Sequence, residues 1–287
     1  MKRIVKRDKF LISCRDNHVA GNGGAKIKKE ISIFLLLLAI LNAPFYVDFK
    51  FSILLFWTPA IAALLTDAFL NGNIKNLGWC LRGTKYLFLG LFLPIMYGAI
   101  IYGALILTGA NVVHGESLKW LAKPNGMRLL FGAYMVKYFV CSLGEEIGWR
   151  GFLSPRFVAL KGLISGGIVS GLIWAFWHYP MMLTGKFAGE PNIPFFYCIL
   201  SFTLTAIGFG VLLTWLRERS DSVWPCVFFH ASHNLFTKLF FIPLTNPSGA
   251  TAYIAGKFGF AFVVTGLIFI LMIKQTDSMP GEHRCQK

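Results

Sequence analysis

Residues 142–153 read SLGEEIGWRGFL, and they place two adjacent glutamates and an arginine at the end of a strongly apolar run. The run before them, residues 127–141 (MRLLFGAYMVKYFVC), has the composition of a membrane-spanning helix. A charged side chain at the centre of such a helix costs about 2.5–3.5 kcal/mol on insertion scales, so it normally faces the protein interior and has a partner. The stretch therefore predicts a helical membrane bundle with polar groups inside it.

The chain as a whole has the composition of a membrane protein. Of its 287 residues, 55% are hydrophobic and only 14% are charged, and the mean hydropathy is +0.60. Soluble domains rarely reach these values. Apolar runs of about 20 residues, enough to cross a hydrocarbon core of roughly 30 Å, lie near residues 32–47, 51–70, 86–108, 128–153, 162–184, 194–216, 222–244 and 255–273. The sequence predicts an all-α, polytopic bundle of about eight spanning helices.

The distribution of Lys and Arg predicts how this bundle is oriented. The chain carries 28 Lys and Arg against 13 Asp and Glu, a net charge of +15, and nine of the basic residues precede Glu30. Cytosolic segments keep an excess of positive charge, so we expect both termini in the cytosol and the protein in the plasma membrane. The loops then assigned to the outside hold only Lys50, Lys119, Lys123, Arg128 and Lys186. No basic patch with interleaved aromatic residues indicates a nucleic-acid partner.

The predicted spans divide the chain into four parts. They are a basic cytosolic tail (1–30), N-terminal transmembrane helices (31–127), a core that carries the charged motifs (128–244), and a last transmembrane helix with a cytosolic tail (245–287). The six cysteines are scattered without a CxxC pair, which argues against disulfides. Within the core, the pairs Gly162/Gly166 and Gly167/Gly171 predict close packing of the fifth helix on a neighbour.

Helical spacing separates the two adjacent glutamates. Glu146 and Arg150 are one turn apart on the same helical face, so they predict a buried ion pair. Glu145 is rotated by about 100° from Glu146 and points elsewhere. One glutamate is therefore expected to neutralise the arginine, and the other is left for a different task.

Three further polar side chains lie within predicted spans: His178, His230 and Asn234, the last two again on one helical face. Counted at about 1.5 Å per residue from the assumed cytosolic ends, Glu145 and His230 lie about 12 Å deep, Asn234 about 18 Å and His178 about 24 Å. Helix tilt and a kink at Pro180 can absorb part of the difference. We expect these groups to converge on one site.

The three motifs together resemble a known family. EExxxR at Glu145, Glu146 and Arg150, an aromatic residue four positions before His178, and HxxxN at His230 and Asn234 resemble the CAAX-protease and bacteriocin-processing family of intramembrane endopeptidases over roughly residues 128–240. The chain departs from the expected FxxxH by having Trp174. The resemblance implies a CAAX-protease-like catalytic core whose site opens toward the cytosolic half of the bilayer. Eukaryotic relatives trim prenylated CAAX tails, and bacterial relatives include bacteriocin-immunity proteins.

The side chains also suit peptide hydrolysis without a nucleophilic Ser or Cys. Such a reaction needs an activated water, a base that takes its proton, and donors that hold the developing oxyanion. Burial disfavours the carboxylate form of Glu145, which suits this side chain to act as the base. His178 would orient the same water, and His230 with Asn234 would face the carbonyl oxygen. The partners implied are the lipid bilayer and a peptide or membrane-protein substrate.

Zinc is the alternative, because Glu145, His178 and His230 with a water would make a plausible ligand set. No HExxH motif is present, and asparagine is a poor zinc ligand. We favour a metal-free site. A proton-coupled transporter or a non-catalytic immunity or scaffold protein could use the same buried Glu/His set, although no inverted repeat supports a transporter.

Three polar residues near the site receive structural roles. His233 is expected to pack beside His230 or to support it. Lys137 and Lys238 are expected to extend toward the membrane surface or to pair internally.

The first prediction concerns topology. A reporter fused after residue 287 should be cytosolic, and a probe near Glu116 should be accessible only from outside, because the Lys and Arg excess lies in the segments assigned to the cytosol. Fusion reporters and impermeant labelling measure both positions. External labelling of the C-terminal tag, or cytosolic labelling near Glu116, would reverse the assignment.

Overall fold

A computed structural model describes residues 22–47, 53–184 and 193–278, and the regular structure in these ranges is helical. The longer helices are α1 (Asn22–Val47), α2 (Ile53–Asn71), α3 (Thr84–Leu107), α4 (Met135–Glu146), α5 (Ser154–Lys161), α6 (Leu163–Leu183), α7 (Phe195–Ser220), α8 (Trp224–Phe236) and α9 (Phe260–Ser278). Shorter helical pieces are Lys75–Leu77, Gly115–Ala122, Gly126–Arg128, Ile242–Thr245 and Ala250–Ala255, and π-helical turns cover Leu129–Tyr134, Ile147–Leu153 and Thr237–Phe241. The predicted all-α class is confirmed.

Several helices are suited to a membrane. By length and composition, four segments of the described chain are long and apolar enough to cross one: Ile53–Asn71, Thr84–Leu107, Phe195–Ser220 and Ala250–Thr276. Helices also cover most of the other predicted segments where these are described. The chain is thus a helical membrane protein with several apolar helices, while the count of eight spans and the side of each terminus stay predictions.

The first helix begins earlier than expected. The sequence predicted a tail as far as residue 30, but α1 starts at Asn22. Lys26 lies 3.8 Å from Glu30 one turn later, and Arg156 donates to the same carboxylate at 2.7 Å. These contacts stabilise the first turns of the helix, which precede the apolar run and were therefore not predicted as helical. Residues 1–21, most of the predicted tail, lie outside the described residues, as do 48–52, 185–192 and 279–287.

A buried cluster of charges joins three helices at one end of the bundle. Arg156 of α5 donates to Glu30 of α1 at 2.7 Å and to Asp67 of α2 at 2.5 Å. Its guanidinium also lies 3.4 Å from the ring centroid of Phe152. Both carboxylates are buried, so each needs this cation as a partner. The cluster fastens α5 to the two N-terminal helices.

Two glycines bring α4 and the turn after it directly against α2. A Cβ at Gly144 would lie 2.6 Å from the carbonyl oxygen of Phe56, and one at Gly148 would lie 2.6 Å from the carbonyl carbon of Pro59. Only a residue without a side chain permits this approach. The helix that carries Glu145 is therefore held at backbone distance from its neighbour.

The glycines of the fifth predicted span divide into two groups. Gly167 and Gly171 face the backbone of α7, where an added Cβ would lie 2.7 Å from the Cα of Val211 and 2.9 Å from the Cα of Ile207. Close packing is confirmed there. The prediction is wrong for Gly162, where an added Cβ would meet nothing within 4 Å and φ is +78°. Gly162 ends α5, because its left-handed φ permits the turn into α6.

The described cysteines agree with the expected lack of disulfides. Cys80, Cys141, Cys198 and Cys226 are all free thiols. Cys14 and Cys285 lie outside the described residues, so the expectation stays a prediction for them.

The second prediction tests the glycine contact with α2. Gly148→Ala should destabilise the protein by about 1–3 kcal/mol, because the added methyl meets backbone atoms that cannot move aside cheaply. Thermal unfolding of the purified protein in lipid nanodiscs measures the effect. Gly103→Ala is the matched control, since a Cβ there meets nothing within 4 Å. Equal melting temperatures for the two variants would contradict the close approach.

Candidate active site

The four side chains predicted to form a site line one cavity of about 500 Å³. Glu145 comes from α4, His178 from α6, and His230 and Asn234 from α8. His178 lines the same cavity despite its greater expected depth. The depth expected from the sequence assumed upright helices whose ends are aligned. The structure brings the predicted residues together, and their chemical roles stay predictions.

Trp174 holds the carboxylate of Glu145. Its indole nitrogen donates to Oε2 of Glu145 at 2.7 Å, and both side chains are buried. This tryptophan is the departure from the expected FxxxH pattern. Phenylalanine has no N–H group, so the exchange adds a hydrogen bond that the expected residue could not make. The departure therefore gives Glu145 a fixed orientation.

Trp174 also contacts the other members of the site. The guanidinium of Arg150 lies 4.5 Å from its ring centroid, a cation–π distance. The His230 ring packs edge-on at 5.4 Å, and the His178 ring at 5.7 Å. This role of Trp174 was not among the predictions from the sequence. A signal was present, because a buried indole N–H normally finds an acceptor and a buried glutamate is an obvious one.

Glu146 has two partners where one was predicted. Its Oε1 accepts from Nη1 of Arg150 at 2.9 Å, as expected from the spacing, and also from Nδ1 of His230 at 2.9 Å. Glu146 and Arg150 are fully buried. The glutamate thus neutralises the arginine and sets the orientation of the histidine ring. With Nδ1 committed to Glu146, Nε2 is the nitrogen that His230 presents to the cavity.

A hydrogen bond also indicates which ring nitrogen of His178 carries the hydrogen. Its Nδ1 lies 2.9 Å from the carbonyl oxygen of Trp174, one turn earlier in α6. A carbonyl only accepts, so Nδ1 carries the hydrogen and Nε2 of the neutral ring is an acceptor. An acceptor nitrogen suits a residue that orients a water molecule.

Further polar side chains line the cavity wall. His233 pairs with the hydroxyl of Tyr97 at 2.5 Å, in agreement with a supporting role, although it also lines the cavity. Lys137 and Lys238 line the cavity as well. Lys257 was missed, because it lies in the break between Ala250–Ala255 and α9, where no motif marks it.

The alternative zinc site does not fit the arrangement. Among the described residues, no group of three or more His, Cys, Asp or Glu side chains lies close enough to hold a metal ion. Glu145 is oriented by Trp174, and His230 by Glu146. The chemistry proposed for this site therefore uses no metal, and metal-free catalysis stays a prediction.

The fold and cavity define a helical membrane protein with a buried Glu/His site, and comparisons with known proteins agree with this class. Residues 127–236 match the family model described as type II CAAX prenyl endopeptidase Rce1-like. CAAX prenyl protease 2 of Methanococcus maripaludis is 27% identical over 97 residues, which cover 33% of this chain and 36% of the relative. Over this segment the chain is similar to the CAAX-protease and bacteriocin-processing family, so the resemblance seen in the sequence motifs is confirmed. The similarity spans about a third of the relative's length.

The third prediction concerns the buried pair. Glu146→Gln should lower the free energy of unfolding by about 3–5 kcal/mol, because it leaves the Arg150 cation buried without a counter-charge. Expression yield and melting temperature should fall together. The double change Glu146→Gln with Arg150→Met should recover part of the loss, since no charge is then stranded. A single glutamine variant as stable as the parent protein would contradict the ion pair.

Proposed function

We propose that this protein is an intramembrane endopeptidase that hydrolyses a peptide bond with a water activated by Glu145. The observation that carries the proposal is the convergence of Glu145, His178, His230 and Asn234 on one cavity. The endopeptidase family model that residues 127–236 match supports the same reaction. By analogy with CAAX prenyl protease 2, the proposed substrate class is a CAAX tail.

Glu145 and His178 would handle the water. The Glu145 carboxylate, oriented by Trp174, takes a proton from the water, while Nε2 of His178 accepts a hydrogen bond from the O–H that remains. The hydroxide oxygen then bonds to the carbonyl carbon of the substrate. The protonated Glu145 returns this proton to the leaving nitrogen as the carbon–nitrogen bond breaks. Glu145 ends the cycle as a carboxylate.

Asn234 and His230 would hold the negative charge that develops on the carbonyl oxygen. The Asn234 amide is a donor regardless of protonation. The Nδ1–H of His230 donates a hydrogen bond to Glu146. Nε2 can therefore donate to an oxyanion only when both ring nitrogens carry a proton. We therefore propose Asn234 as the donor in every protonation state of the site, and His230 as a donor only when its ring is doubly protonated.

The cavity favours apolar substrates. Much of its remaining wall is aromatic, with Phe202, Phe209, Phe229, Phe258 and Phe262 among the lining residues. Such a wall suits a peptide with apolar side chains, or a lipidated one, beside the bond that is cut. We place the site in the cytosolic half of the plasma membrane, on the strength of the Lys and Arg distribution.

The fourth prediction tests the base. Glu145→Gln keeps the volume and an oxygen for the Trp174 donor, so stability should change little. Turnover should fall at least about a hundredfold, as expected for loss of a general base. Mass spectrometry of an apolar peptide library incubated with the purified protein in nanodiscs measures turnover.

Two controls sharpen this experiment. Trp174→Phe keeps the carboxylate but removes the hydrogen bond that orients it, and should cost about tenfold. Glu116→Gln changes an exposed glutamate outside the cavity and should cost nothing. Absence of any cleavage by the parent protein would favour the immunity, scaffold or transporter alternatives.

The fifth prediction concerns the metal. Protein washed with chelator should keep its activity and hold no stoichiometric zinc, because no three His, Cys, Asp or Glu side chains in the described part of the chain form a ligand set. Elemental analysis alongside the peptide assay measures both. About one tightly bound zinc per chain, with activity that is lost and regained with it, would refute the glutamate-water mechanism.

A further inference from the structure

We propose that His233 is a further substrate-binding residue, whose neutral ring donates a hydrogen bond from Nε2 to a backbone carbonyl of the bound peptide. Tyr97, a buried residue of α3, is the positioning residue that fixes which ring nitrogen carries the hydrogen. His233 lies on α8 and lines the cavity together with His230 and Asn234. The proposal deepens the proposed peptidase function and rests on it for the identity of the ligand as a substrate.

The hydroxyl of Tyr97 determines the tautomer of His233. It lies 2.5 Å from Nδ1 of His233, which is its one hydrogen-bond partner among the described residues. If Nδ1 carried the hydrogen, the hydroxyl would accept, and its own hydrogen would stay unpaired. A buried donor without an acceptor is costly. The hydroxyl therefore donates, Nδ1 accepts, and the neutral ring carries its hydrogen on Nε2.

The packing around His233 directs that hydrogen toward the cavity. Tyr97 does not line the cavity, whereas His233 does, so the ring edge with Nδ1 faces the wall. The two ring nitrogens point in divergent directions, which leaves Nε2 on the side of the cavity. The ring centroids of Phe209 and Phe262 lie 5.3 and 5.5 Å from that of His233, and both rings are nearly perpendicular to it. These edge-to-face contacts hold the imidazole in place.

The two histidines of α8 thereby differ in what they offer a substrate. The Nδ1–H of His230 donates to Glu146, so Nε2 of its neutral ring is an acceptor. His233 presents a donor in the same protonation state. A peptide carbonyl only accepts hydrogen bonds, so His233 can bind one without the uptake of a proton.

Helical spacing indicates which carbonyl His233 reaches. His233 follows His230 by three residues, so their Cβ atoms are about 5–6 Å apart. Carbonyls on one edge of an extended peptide recur every second residue, about 6.6 Å apart. If the carbonyl of the cut bond faces His230 and Asn234, His233 is therefore within reach of the carbonyl two residues away.

The position of the hydrogen can be measured without any substrate. Solid-state NMR of the full chain with 15N-labelled histidine, in phosphatidylcholine liposomes, reports which ring nitrogens are protonated. A pH of about 8 keeps an ordinary histidine ring neutral, and His233→Gln assigns the signals. The His233 ring should carry its hydrogen on Nε2, and Tyr97→Phe should populate the Nδ1–H form. Tyr102→Phe is the matched control and should change nothing, because its hydroxyl on the same helix donates to the carbonyl oxygen of Ala255 instead.

The contact with a peptide is measured in the full chain carrying Glu145→Gln, so that bound peptide is not cleaved. The probe is a fluorescent octapeptide amide of leucine, phenylalanine and alanine. A matched set replaces one carbonyl at a time by a thiocarbonyl, which is a weaker acceptor. Fluorescence anisotropy in phosphatidylcholine nanodiscs gives Kd for each peptide. His233→Phe should weaken binding of the plain peptide about tenfold, as for one lost hydrogen bond.

The thiocarbonyl set locates the acceptor. One thiocarbonyl should weaken binding severalfold when His233 is present and should have no further effect in His233→Phe, because the donor is already gone. His233→Gln should retain the effect, since an amide nitrogen also donates. Tyr97→Phe should weaken binding less than His233→Phe does, and Tyr102→Phe should leave Kd unchanged.

A hydrogen on Nδ1 of His233 in the parent protein would overturn the proposal. The same holds if His233→Phe leaves Kd unchanged, or if every thiocarbonyl effect survives this change. If His233→Phe does not fold, His233→Met takes its place, because methionine also lacks a donor. A parent protein that cleaves no peptide would reject the peptidase function, while the NMR result and the Kd values still decide whether His233 donates to a peptide carbonyl.

Discussion

The structure depends on neutralising one fully buried cation, the guanidinium of Arg150. Placed among apolar helices, it needs a counter-charge that is equally buried, and Glu146 one turn earlier supplies it. The same carboxylate oxygen accepts from His230, while the face of Trp174 covers the guanidinium. The need to neutralise Arg150 thus holds three elements together: the π-helical turn Ile147–Leu153, helix α6 and helix α8.

The neighbouring glutamate acquires its role from this arrangement. Successive residues of a helix point about 100° apart, so once Glu146 faces Arg150 the side chain of Glu145 turns toward α6 and the cavity. There the indole of Trp174 meets it. Adjacent, identical residues therefore occupy different electrostatic settings, one beside a permanent cation and the other beside a neutral donor in the wall of a cavity.

Much of this could be predicted from sequence, because spacing within a helix reports which side chains share a face. The Glu146–Arg150 pair and the His230–Asn234 pair follow from spacing alone. Contacts between helices depend on their relative height and rotation, which periodicity does not report. The Trp174–Glu145 hydrogen bond and the His230–Glu146 contact were missed for this reason, as was Lys257, which lies in no periodic element.

The cluster around Arg156 bears on whether the family-matched segment is an autonomous module. That segment comprises residues 127–236, yet Arg156 within it is neutralised by Glu30 and Asp67, which precede it by more than eighty residues. Trp177 likewise donates to Asn42 of α1. A chain reduced to the matched residues would keep Glu145, His178, His230 and Asn234. Arg156 and Trp177 would lose their hydrogen-bond partners in the two N-terminal helices. The boundary of sequence similarity is therefore not the boundary of the folding unit.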